Sequence, residues 1–361
     1  MFNKYVPYND LPLLPPAALL ESPEVLKHMA YASRCLGELN GLCASLTDPG
    51  ILINTIALQE SKDSSAIENI VTTQDELYQA TLTSEEMSSS AKEVLSYREA
   101  LYKGLKAMVK KKNILSVNTM IEIVQVVKQN KAGIRTTPGT MLKNAITGET
   151  IYTPPEGKQV IEEKLANLER FMNDNDFSEL DPLLKMAVIH YQFEAIHPFI
   201  DGNGRTGRIL NRLYLVQQQL LPQPVLYLSS YFVKNKPLYY QLLRGVTEDS
   251  NWRDWIMYNL TAVIETAKLT ADKIRQILLL KDKMETELKK ILGPSYTHEL
   301  LRLMFELPYL KIDILVKKEM AHRQTASVWL RKLVRESVLS QQKRGKTIYF
   351  INSRLMKILT D

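Results

Sequence analysis

Apolar residues recur at three- and four-residue intervals through most of the 361-residue chain, and this periodicity predicts a mainly α-helical protein. The stretch from Gly133 to Gly157 breaks the pattern, because glycines and prolines punctuate short apolar runs there. We expect one small β-hairpin in this stretch, closed by Asn144–Gly148. The predicted helical stretches are approximately Glu24–Lys112, Lys158–Asn173, Pro182–Ile196, Gly207–Leu220 and Trp252–Ile291.

Prolines also mark the two ends of the chain. The segment Met1–Pro23 is rich in Pro and Leu, which forbids a continuous helix and predicts an extended arm lying on the body. Gly293-Pro294 ends the last long helix, and two short strands are expected around Lys343–Lys346. We therefore predict three units: a helical N-terminal region (1–112), a core (113–291) and a C-terminal domain (292–361).

Composition favours a folded protein, with 45% hydrophobic and 24% charged residues. The sequence contains neither a stretch of ~20 apolar residues that would span a membrane nor the pattern of a signal peptide. Cys35 and Cys43 are too few for a disulfide framework and are interpreted as buried small side chains. These observations predict a cytoplasmic protein.

The segment with the strongest chemical character is His197–Arg208, with the sequence His-Pro-Phe-Ile-Asp-Gly-Asn-Gly-Arg-Thr-Gly-Arg. Gly202-Asn203-Gly204 can adopt positive φ, so that consecutive backbone N–H groups face one anion. The helix expected after this turn directs the positive end of its dipole to the same place. Arg205 and Arg208 are three residues apart and share a helix face, which offers two guanidinium groups to phosphate oxygens.

Two further residues of this run suit nucleotide chemistry. Asp201 could hold Mg²⁺ beside bound phosphates, since Mg²⁺ prefers oxygen ligands. His197 titrates near neutral pH and is suited to act as a general base. Each feature alone is more often structural than catalytic, but their combination in twelve residues predicts a phosphate site beside a base.

This run is similar to the Fic family pattern His-x-Phe-x-Asp/Glu-Gly-Asn-Gly-Arg-x-x-Arg and matches it at every specified position. The resemblance implies a mostly helical Fic core with a hairpin flap, and an enzyme that transfers AMP from ATP to Tyr, Thr or Ser hydroxyls of proteins, including itself. It implies that His197 takes the proton of the attacking hydroxyl, Asp201 binds Mg²⁺, and Phe199 anchors the loop. Arg205 would hold the β-phosphate and Arg208 the γ-phosphate. The residues implied to bind nucleotide are Gly202, Asn203, Gly204, Arg205, Thr206, Gly207 and Arg208.

A second motif, Ser64-Ser65-Ala66-Ile67-Glu68-Asn69, resembles the inhibitory pattern Ser/Thr-x-x-x-Glu-Gly/Asn of that family, and Glu60 also resembles this subfamily. The resemblance implies that Ser64, Glu68 and Asn69 are regulatory and that Glu68 pairs with Arg208. A guanidinium held by a carboxylate cannot also bind the γ-phosphate, so ATP would bind with its α-phosphate misplaced. Without the core motif, Glu68 would be interpreted as a solvated or capping residue.

Docking sites for substrate parts are less specific. The hairpin near Met141–Tyr152, within a flap at about 133–157, corresponds to the family's flap and would dock a target protein segment as an added strand. The alternative is a surface hairpin without a partner. For adenine we favour Tyr239 and Tyr240, whose rings could contact the base. A plain core role for these tyrosines is the alternative.

The C-terminal segment from Lys311 to Asp361 is basic, with 12 Lys and Arg against 4 Asp and Glu. Two helices followed by a hairpin with Gly345 at its tip predict a winged helix-turn-helix. Such a module could bind DNA phosphates or could serve as a homodimer or protein-docking surface. The candidate phosphate contacts are Lys332, Lys343, Arg344 and Lys346.

Other interpretations stay open at this point. Some Fic-fold proteins remove AMP and others transfer other phosphate-containing groups in the same pocket, and a non-enzymatic DNA-binding regulator is a second class. A zinc pair of His190 with His197 is disfavoured, because no Cys and no His-Glu-x-x-His pattern accompanies it. The sequence does not identify the target protein, the modified residue or the signal that relieves inhibition.

Overall fold

A computed structural model describes residues 2–44, 49–82, 87–144, 147–344 and 347–360, with the backbone alone for 49–54. These residues form a mostly helical protein with two small antiparallel sheets. The helices are α1 (Pro23–Ala44), α2 (Pro49–Ile67), α3 (Gln74–Ala80), α4 (Ser89–Lys110), α5 (Val117–Lys128), α6 (Lys158–Asn173), α7 (Pro182–Ile196), α8 (Asn203–Gln217), α9 (Ser229–Lys234), α10 (Lys236–Asp249), α11 (Trp252–Leu292), α12 (His298–Glu306), α13 (Ile312–Lys317), α14 (Arg323–Arg335) and α15 (Ser353–Thr360). The strands are β1 (Leu142–Lys143), β2 (Thr150–Tyr152), β3 (Tyr309–Leu310), β4 (Ser340–Arg344) and β5 (Thr347–Ile351).

The central helix is α7, and its side chains are buried on all faces apart from Pro182 and Glu194. A helix that is apolar all round must lie inside the protein, and α7 is enclosed by α1, α6, α8 and α11. Asp181 caps its first turn by accepting a hydrogen bond from the Leu183 N–H at 2.8 Å, and proline occupies the first helical position. The predicted bounds of α6 and α7 are confirmed.

The long helical stretch predicted from Glu24 to Lys112 is divided among four helices. Thr73 and Ser88 explain two of the divisions, because each side chain accepts a hydrogen bond from a backbone N–H in the first turn of the next helix. The predicted start of α8 at Gly207 is wrong, since the helix begins four residues earlier, at Asn203. Gly202 is the residue before it and has φ +84°.

The N-terminal arm precedes α1 and is extended with turns, as expected. Its backbone is held by side chains of the core helices. Lys164 of α6 donates to the Leu11 carbonyl at 2.7 Å, and Gln192 of α7 donates to the Pro12 carbonyl at 2.8 Å. The arm also reaches the hairpin, where the Tyr8 N–H donates to the Thr153 carbonyl at 3.0 Å.

The predicted hairpin is present as β1 paired with β2 in antiparallel orientation. Its expected turn at Asn144–Gly148 lies partly outside the described residues. Tyr152 joins the hairpin to the core, because its hydroxyl donates to the Ala195 carbonyl near the end of α7 at 2.8 Å.

The C-terminal domain has the order α12, β3, α13, α14, β4, β5, α15, with the strands arranged β3-β5-β4. A helix pair followed by a β-hairpin is the winged helix-turn-helix arrangement predicted above. The two-residue strand β3 and the eight-residue helix α15 were not predicted, since both are too short to show a period. The predicted hairpin tip, Gly345, lies outside the described residues.

Helix α2 contacts α4, α8 and α9, and it also contacts α12 and α15 of this C-terminal domain. It carries buried polar residues that find partners on neighbouring elements. The Glu60 carboxylate accepts from the Ser229 N–H at 2.9 Å and hydroxyl at 2.6 Å, and Asp63 accepts from the Tyr227 hydroxyl at 2.5 Å. These contacts fix the position of α2 against α9. In the part of the chain that the structure describes, no helix has the length and apolar character needed to cross a bilayer.

Candidate active site

His197 lies directly after α7, in the left-handed conformation with φ 48° and ψ 58°. This conformation ends the helix and turns the chain toward the loop 198–202. Burial, and to a lesser degree the guanidinium of Arg135, lowers the pKa of His197 to about 4. The imidazole is therefore neutral at physiological pH, which is the form that can accept a proton.

The loop after His197 is held by Asn203 rather than by its glycines. The Asn203 side chain accepts from the Phe199 N–H at 2.9 Å and donates to the Phe199 carbonyl at 2.7 Å. The Phe199 ring is fully buried beside Phe193, at 6.2 Å between ring centroids. Phe199 thus lies where an apolar anchor is expected.

The expected glycine turn of consecutive positive-φ residues is not what the structure contains. Only Gly202 of the three is left-handed, while Asn203 and Gly204 already belong to α8. The prediction that Gly202, Asn203 and Gly204 form a cradle of consecutive positive-φ residues is therefore corrected. The first turn of α8 is the part of this segment that is suited to bind an anion, because its N–H groups have no partner within the helix.

Arg208 is fully buried and is held by Ser64 and Glu68. Its Nε donates to the Ser64 hydroxyl at 2.8 Å, and its Nη2 donates to the Ser64 carbonyl at 2.9 Å and to Glu68 Oε1 at 2.9 Å. Although burial alone would lower it, the carboxylate of Glu68 raises the pKa of Arg208. The pairing implied by the resemblance is present, and it uses the donors of one guanidinium edge.

Glu68 also reaches the first turn of α8. A Cβ added at Gly204 would overlap Glu68 Oε1 and would lie 3.0 Å from Arg208 Nη1. The carboxylate therefore lies where the free N–H groups and the dipole of α8 favour an anion. Glu68 occupies this place just after α2, whose last residue is Ile67.

Asn69 follows Glu68 with φ 62°, and its side-chain oxygen accepts from Lys236 Nζ at 2.8 Å. A left-handed residue after a helix is favourable for glycine or asparagine, because a β-carbon on most other residues is strained there. This explains physically why the motif takes Gly or Asn at position 69.

Arg205 points to a different set of charges. Its Nη1 donates to Glu93 of α4 at 2.8 Å, and its Nη2 lies 3.9 Å from Asp201. Lys128 at the end of α5 lies 2.6 Å from the other oxygen of Asp201. Arg205 and Arg208 are thus on one helix turn but are held by separate partners, α4 and α2.

Asp201 is the candidate magnesium ligand, and its carboxylate is 60% exposed. Although partial burial would raise it, Lys128 and Arg205 lower the pKa of Asp201, so the group is ionised. Within the described residues no group of three or more His, Cys, Asp or Glu side chains is arranged to hold a metal. A single exposed carboxylate fits Mg²⁺ that arrives with nucleotide phosphates, which commonly supply most of its ligands along with water.

The remaining predicted site residues face in different directions. Thr206 is fully buried, and Gly207 lies against α7, where an added Cβ would be 2.7 Å from Glu194 Oε1. Tyr239 is buried and its hydroxyl is 2.9 Å from His190 Nε2, in a cluster with Phe232 and Trp255. Tyr240 is 45% exposed and packs its edge on Tyr239.

His190 takes a core position. Burial lowers its pKa to about 3, and its ring stacks between Phe232 and Trp255 at 5.8 and 5.7 Å. Tyr240 is the member of the tyrosine pair that is open to solvent. Burial, and after it the carboxylate of Glu68, raises the pKa of Tyr240.

Sequence reasoning missed Arg135, Lys128, Glu93 and Glu194. Burial raises the pKa of Glu194, whose carboxyl group lies beside Gly207, to about 8. Glu93 and Lys128 carry no signal in sequence, since each is one charge on an amphipathic helix. Arg135 could have been noticed as a lone arginine in the Gly- and Pro-rich stretch before the hairpin.

The helical core, its hairpin and the loop between α7 and α8 define a protein of the Fic fold class. The family model "Fic/DOC family" matches residues 114–215, "Fic/DOC family N-terminal" matches 26–106, and "Protein adenylyltransferase SoFic-like, C-terminal domain" matches 280–355. The chain belongs to the Fic/DOC family.

Solved structures show the same fold. A Fic family protein from Desulfovibrio desulfuricans G20 superposes with a TM-score of 0.60 at 16% identity, covering 94% of this chain and 98% of that one. Fic-1 from C. elegans (residues 134–508) superposes with a TM-score of 0.54 at 21% identity, covering 70% and 74% of the two chains.

Curated relatives match over a short segment. The protein adenylyltransferase fic-1 of Caenorhabditis briggsae is 37% identical over 71 residues, which is 20% of this chain and 14% of that protein. The protein adenylyltransferase Fic of Drosophila erecta is 43% identical over 53 residues, which is 15% of this chain and 11% of that protein. The chain therefore spans only about one seventh and one ninth of the length of these two relatives.

Proposed function

We propose that the chain is a protein adenylyltransferase that transfers AMP from ATP to a protein hydroxyl and is held inactive by Glu68. The observation that carries this is the position of Glu68. Its carboxylate accepts a hydrogen bond from Arg208 Nη2 and occupies the candidate anion-binding site beside Gly204. Relatives that match parts of the chain bear the name protein adenylyltransferase. Intact-mass spectrometry after incubation with Mg²⁺ and ATP tests it through the gain of one AMP.

In the proposed reaction the neutral imidazole of His197 accepts the proton of the target hydroxyl. The hydroxyl oxygen forms a bond to the α-phosphorus, the bond from that phosphorus to the bridging oxygen breaks, and pyrophosphate leaves. Arg205, Arg208 and the first turn of α8 would hold the β- and γ-phosphates. Asp201 would hold Mg²⁺, which supplies positive charge against the phosphate oxygens when bound.

Inhibition follows from charge and space together. While its Nε and Nη2 donate to Ser64 and Glu68, Arg208 cannot also offer that edge of its guanidinium to a γ-phosphate. The carboxylate at Gly204 would also repel a phosphate entering the same place. ATP would therefore bind with its α-phosphate displaced from the line of attack, and small displacements cost large factors in rate.

The pKa of His197 predicts a distinctive pH dependence. In the free enzyme it is about 4, and removing Glu68 removes a carboxylate that raises it, so the base stays neutral above pH 5. In the Glu68→Gly protein at sub-saturating MgATP, we expect kcat/KM for AMP transfer to stay constant on the acid side and to fall only near or below pH 4–5. An acid midpoint near 6.5, the ordinary value for histidine, would contradict this.

Removal of AMP from a modified protein is the second candidate. It is favoured by the position of Glu68, a partly exposed carboxylate at the candidate anion-binding site, where it could direct a water molecule to the α-phosphorus. Incubating a fully AMP-modified sample with wild type and with Glu68→Gly separates the two functions. AMP release that requires Glu68 would favour removal.

The partners belong to the same proposal. We propose that a target protein segment docks on the hairpin β1–β2 as an added strand, that the chain also modifies itself, and that its location is cytoplasmic. Cys35 and Cys43 are buried free thiols, which suits a reducing compartment. A homodimer stays a prediction, which sedimentation would test.

The C-terminal domain is the candidate DNA-binding module. Lys332 on α14 is exposed, as is Lys343 on β4, whereas Arg344 is paired with Asp75 at 3.1 Å, and Lys346 lies outside the described residues. If the module binds DNA, Lys332→Ala and Lys343→Ala together should weaken binding without changing sequence preference. A gel shift at physiological salt measures this, and no shift with the wild-type protein would remove the proposal.

A further inference from the structure

Arg135 lies between the hairpin and the segment 196–198 that carries His197, and it is 2% exposed. It belongs to the irregular stretch between α5 and β1, and it contacts neither the motif's phosphate-facing residues nor the inhibitory segment by any hydrogen bond found in the described residues. Its side chain instead donates to backbone carbonyls. A buried guanidinium is costly unless its donors find acceptors, so these contacts fix where Arg135 can lie.

The acceptors are the carbonyls at the end of α7 and at the exit of the hairpin. Arg135 Nε donates to the His197 carbonyl at 2.8 Å, and Nη2 donates to the Ile196 carbonyl at 3.3 Å and to the Pro155 carbonyl. The Arg135 N–H also donates to the Pro198 carbonyl at 2.9 Å. Three consecutive residues, from the last residue of α7 to the start of the loop (196–198), are thus bonded to one arginine.

These bonds have a specific consequence for His197. Its left-handed φ of 48° is unfavourable for a residue with a β-carbon, so the surrounding structure must hold it. The last carbonyls of a helix carry partial negative charge and lack intrahelical donors, and a cation placed there satisfies both. Arg135 therefore acts as a C-terminal cap of α7 that is supplied from another part of the chain.

We propose that Arg135 is a positioning residue that sets the imidazole of His197 against the hairpin on which the target hydroxyl is delivered. The inference rests on the proposed adenylyl transfer. One guanidinium bonds both the His197 carbonyl and the Pro155 carbonyl. The imidazole of His197 and the end of the hairpin therefore keep a fixed separation. Proton transfer needs that separation to be correct, and a misplacement of about 1 Å can cost 10²-fold in rate.

The charge of Arg135 has a second, separable effect. After burial, it is the next cause that lowers the pKa of His197, while Glu68 and Asp201 act in the opposite direction. Removing the charge should therefore raise the pKa of His197. Lysine in place of arginine keeps the charge but cannot reproduce a planar fork to several carbonyls, so the two effects can be told apart.

The test uses full-length Glu68→Gly protein as the parent and adds Arg135→Lys, Arg135→Met or, as a matched control, Lys131→Met. Lys131 is exposed and four residues away. The rate of AMP incorporation by intact mass is measured against MgATP concentration and pH, with thermal melting and circular dichroism to verify folding. We expect the maximal rate to fall by about 10- to 100-fold in both Arg135 variants with little change in the half-saturating MgATP concentration. Lys131→Met should match the parent.

The acid side of the pH profile for AMP incorporation supplies a readout that a merely structural role of Arg135 would not change. It should shift to higher pH in Arg135→Met and stay in place in Arg135→Lys. Unchanged maximal rates in a folded variant, or a loss confined to the half-saturating MgATP concentration, would overturn the proposal. If Arg135→Met does not fold, Arg135→Lys still decides it by its maximal rate. Failure of the parent itself to incorporate AMP would instead count against the adenylyl transfer.

Discussion

Replacing Glu68 with glycine should raise the rate of auto-AMPylation by about 10- to 100-fold over wild type. A hydrogen bond to a charged group contributes roughly 1.5–3 kcal/mol, and losing it frees Arg208 for the γ-phosphate. The same change removes the carboxylate from the candidate anion-binding site beside Gly204, so that a phosphate can enter it. Glu68 follows the last residue of α2, so glycine there costs no helix-interior stability. Incorporation of label from α-labelled ATP measures the effect.

Two further variants separate charge from space in this experiment. Glu68→Gln keeps the volume and removes the charge, so its rate should lie between those of wild type and Glu68→Gly. Glu319→Gly removes an exposed carboxylate of the C-terminal domain, at a residue with φ 56° where glycine is well tolerated, and should behave as wild type. Equal incorporation by wild type and Glu68→Gly would remove the inhibitory role, whatever the activity of the other variants.

How much of this site could be read from the sequence depends on how local each contact is. The helices α6 and α7 were predicted with correct bounds, because periodicity and capping are local signals. The pairing of Glu68 with Arg208 joins residues 140 apart, and only the resemblance to a family pattern connected them. Physical reasoning from the residues alone would have left Glu68 on a solvated helix end.

The errors in the loop have the same origin. The run Gly202-Asn203-Gly204 was expected to form a turn of positive-φ residues, because glycine and asparagine tolerate that conformation. These residues tolerate positive φ but do not require it. Asn203 begins α8 instead, and its side chain bonds the Phe199 backbone. Arg135 went unnoticed because its acceptors are backbone carbonyls of a distant loop, and backbone acceptors have no sequence identity.

The tyrosines near the site illustrate a limit of composition as a guide. Tyr239 and Tyr240 are neighbours in sequence and were proposed together for adenine, yet Tyr239 is buried beside His190 and Tyr240 is 45% exposed. Consecutive residues on a helix point about 100° apart, so one of a pair commonly faces the core while the other faces solvent. Tyr240 is therefore the ring that remains available to a ligand.

Replacing His197 with alanine in the Glu68→Gly protein should lower AMP transfer by about 10²- to 10⁴-fold, the usual contribution of a positioned general base. MgATP binding should change little, because the phosphate-facing groups, the first turn of α8 and the side chains of Arg205 and Arg208, all belong to α8 and remain in place. Histidine already bears the left-handed strain of this position, roughly 1–2 kcal/mol, and alanine bears it too, so His197→Asn serves as a second variant whose side chain tolerates this conformation better. His298→Ala, which removes a 73% exposed histidine, is the matched control and should keep the parent rate. Calorimetry for MgATP and intact mass for AMP transfer measure the two quantities separately. Substantial transfer by both folded His197 variants would show that the proton leaves the hydroxyl by another route.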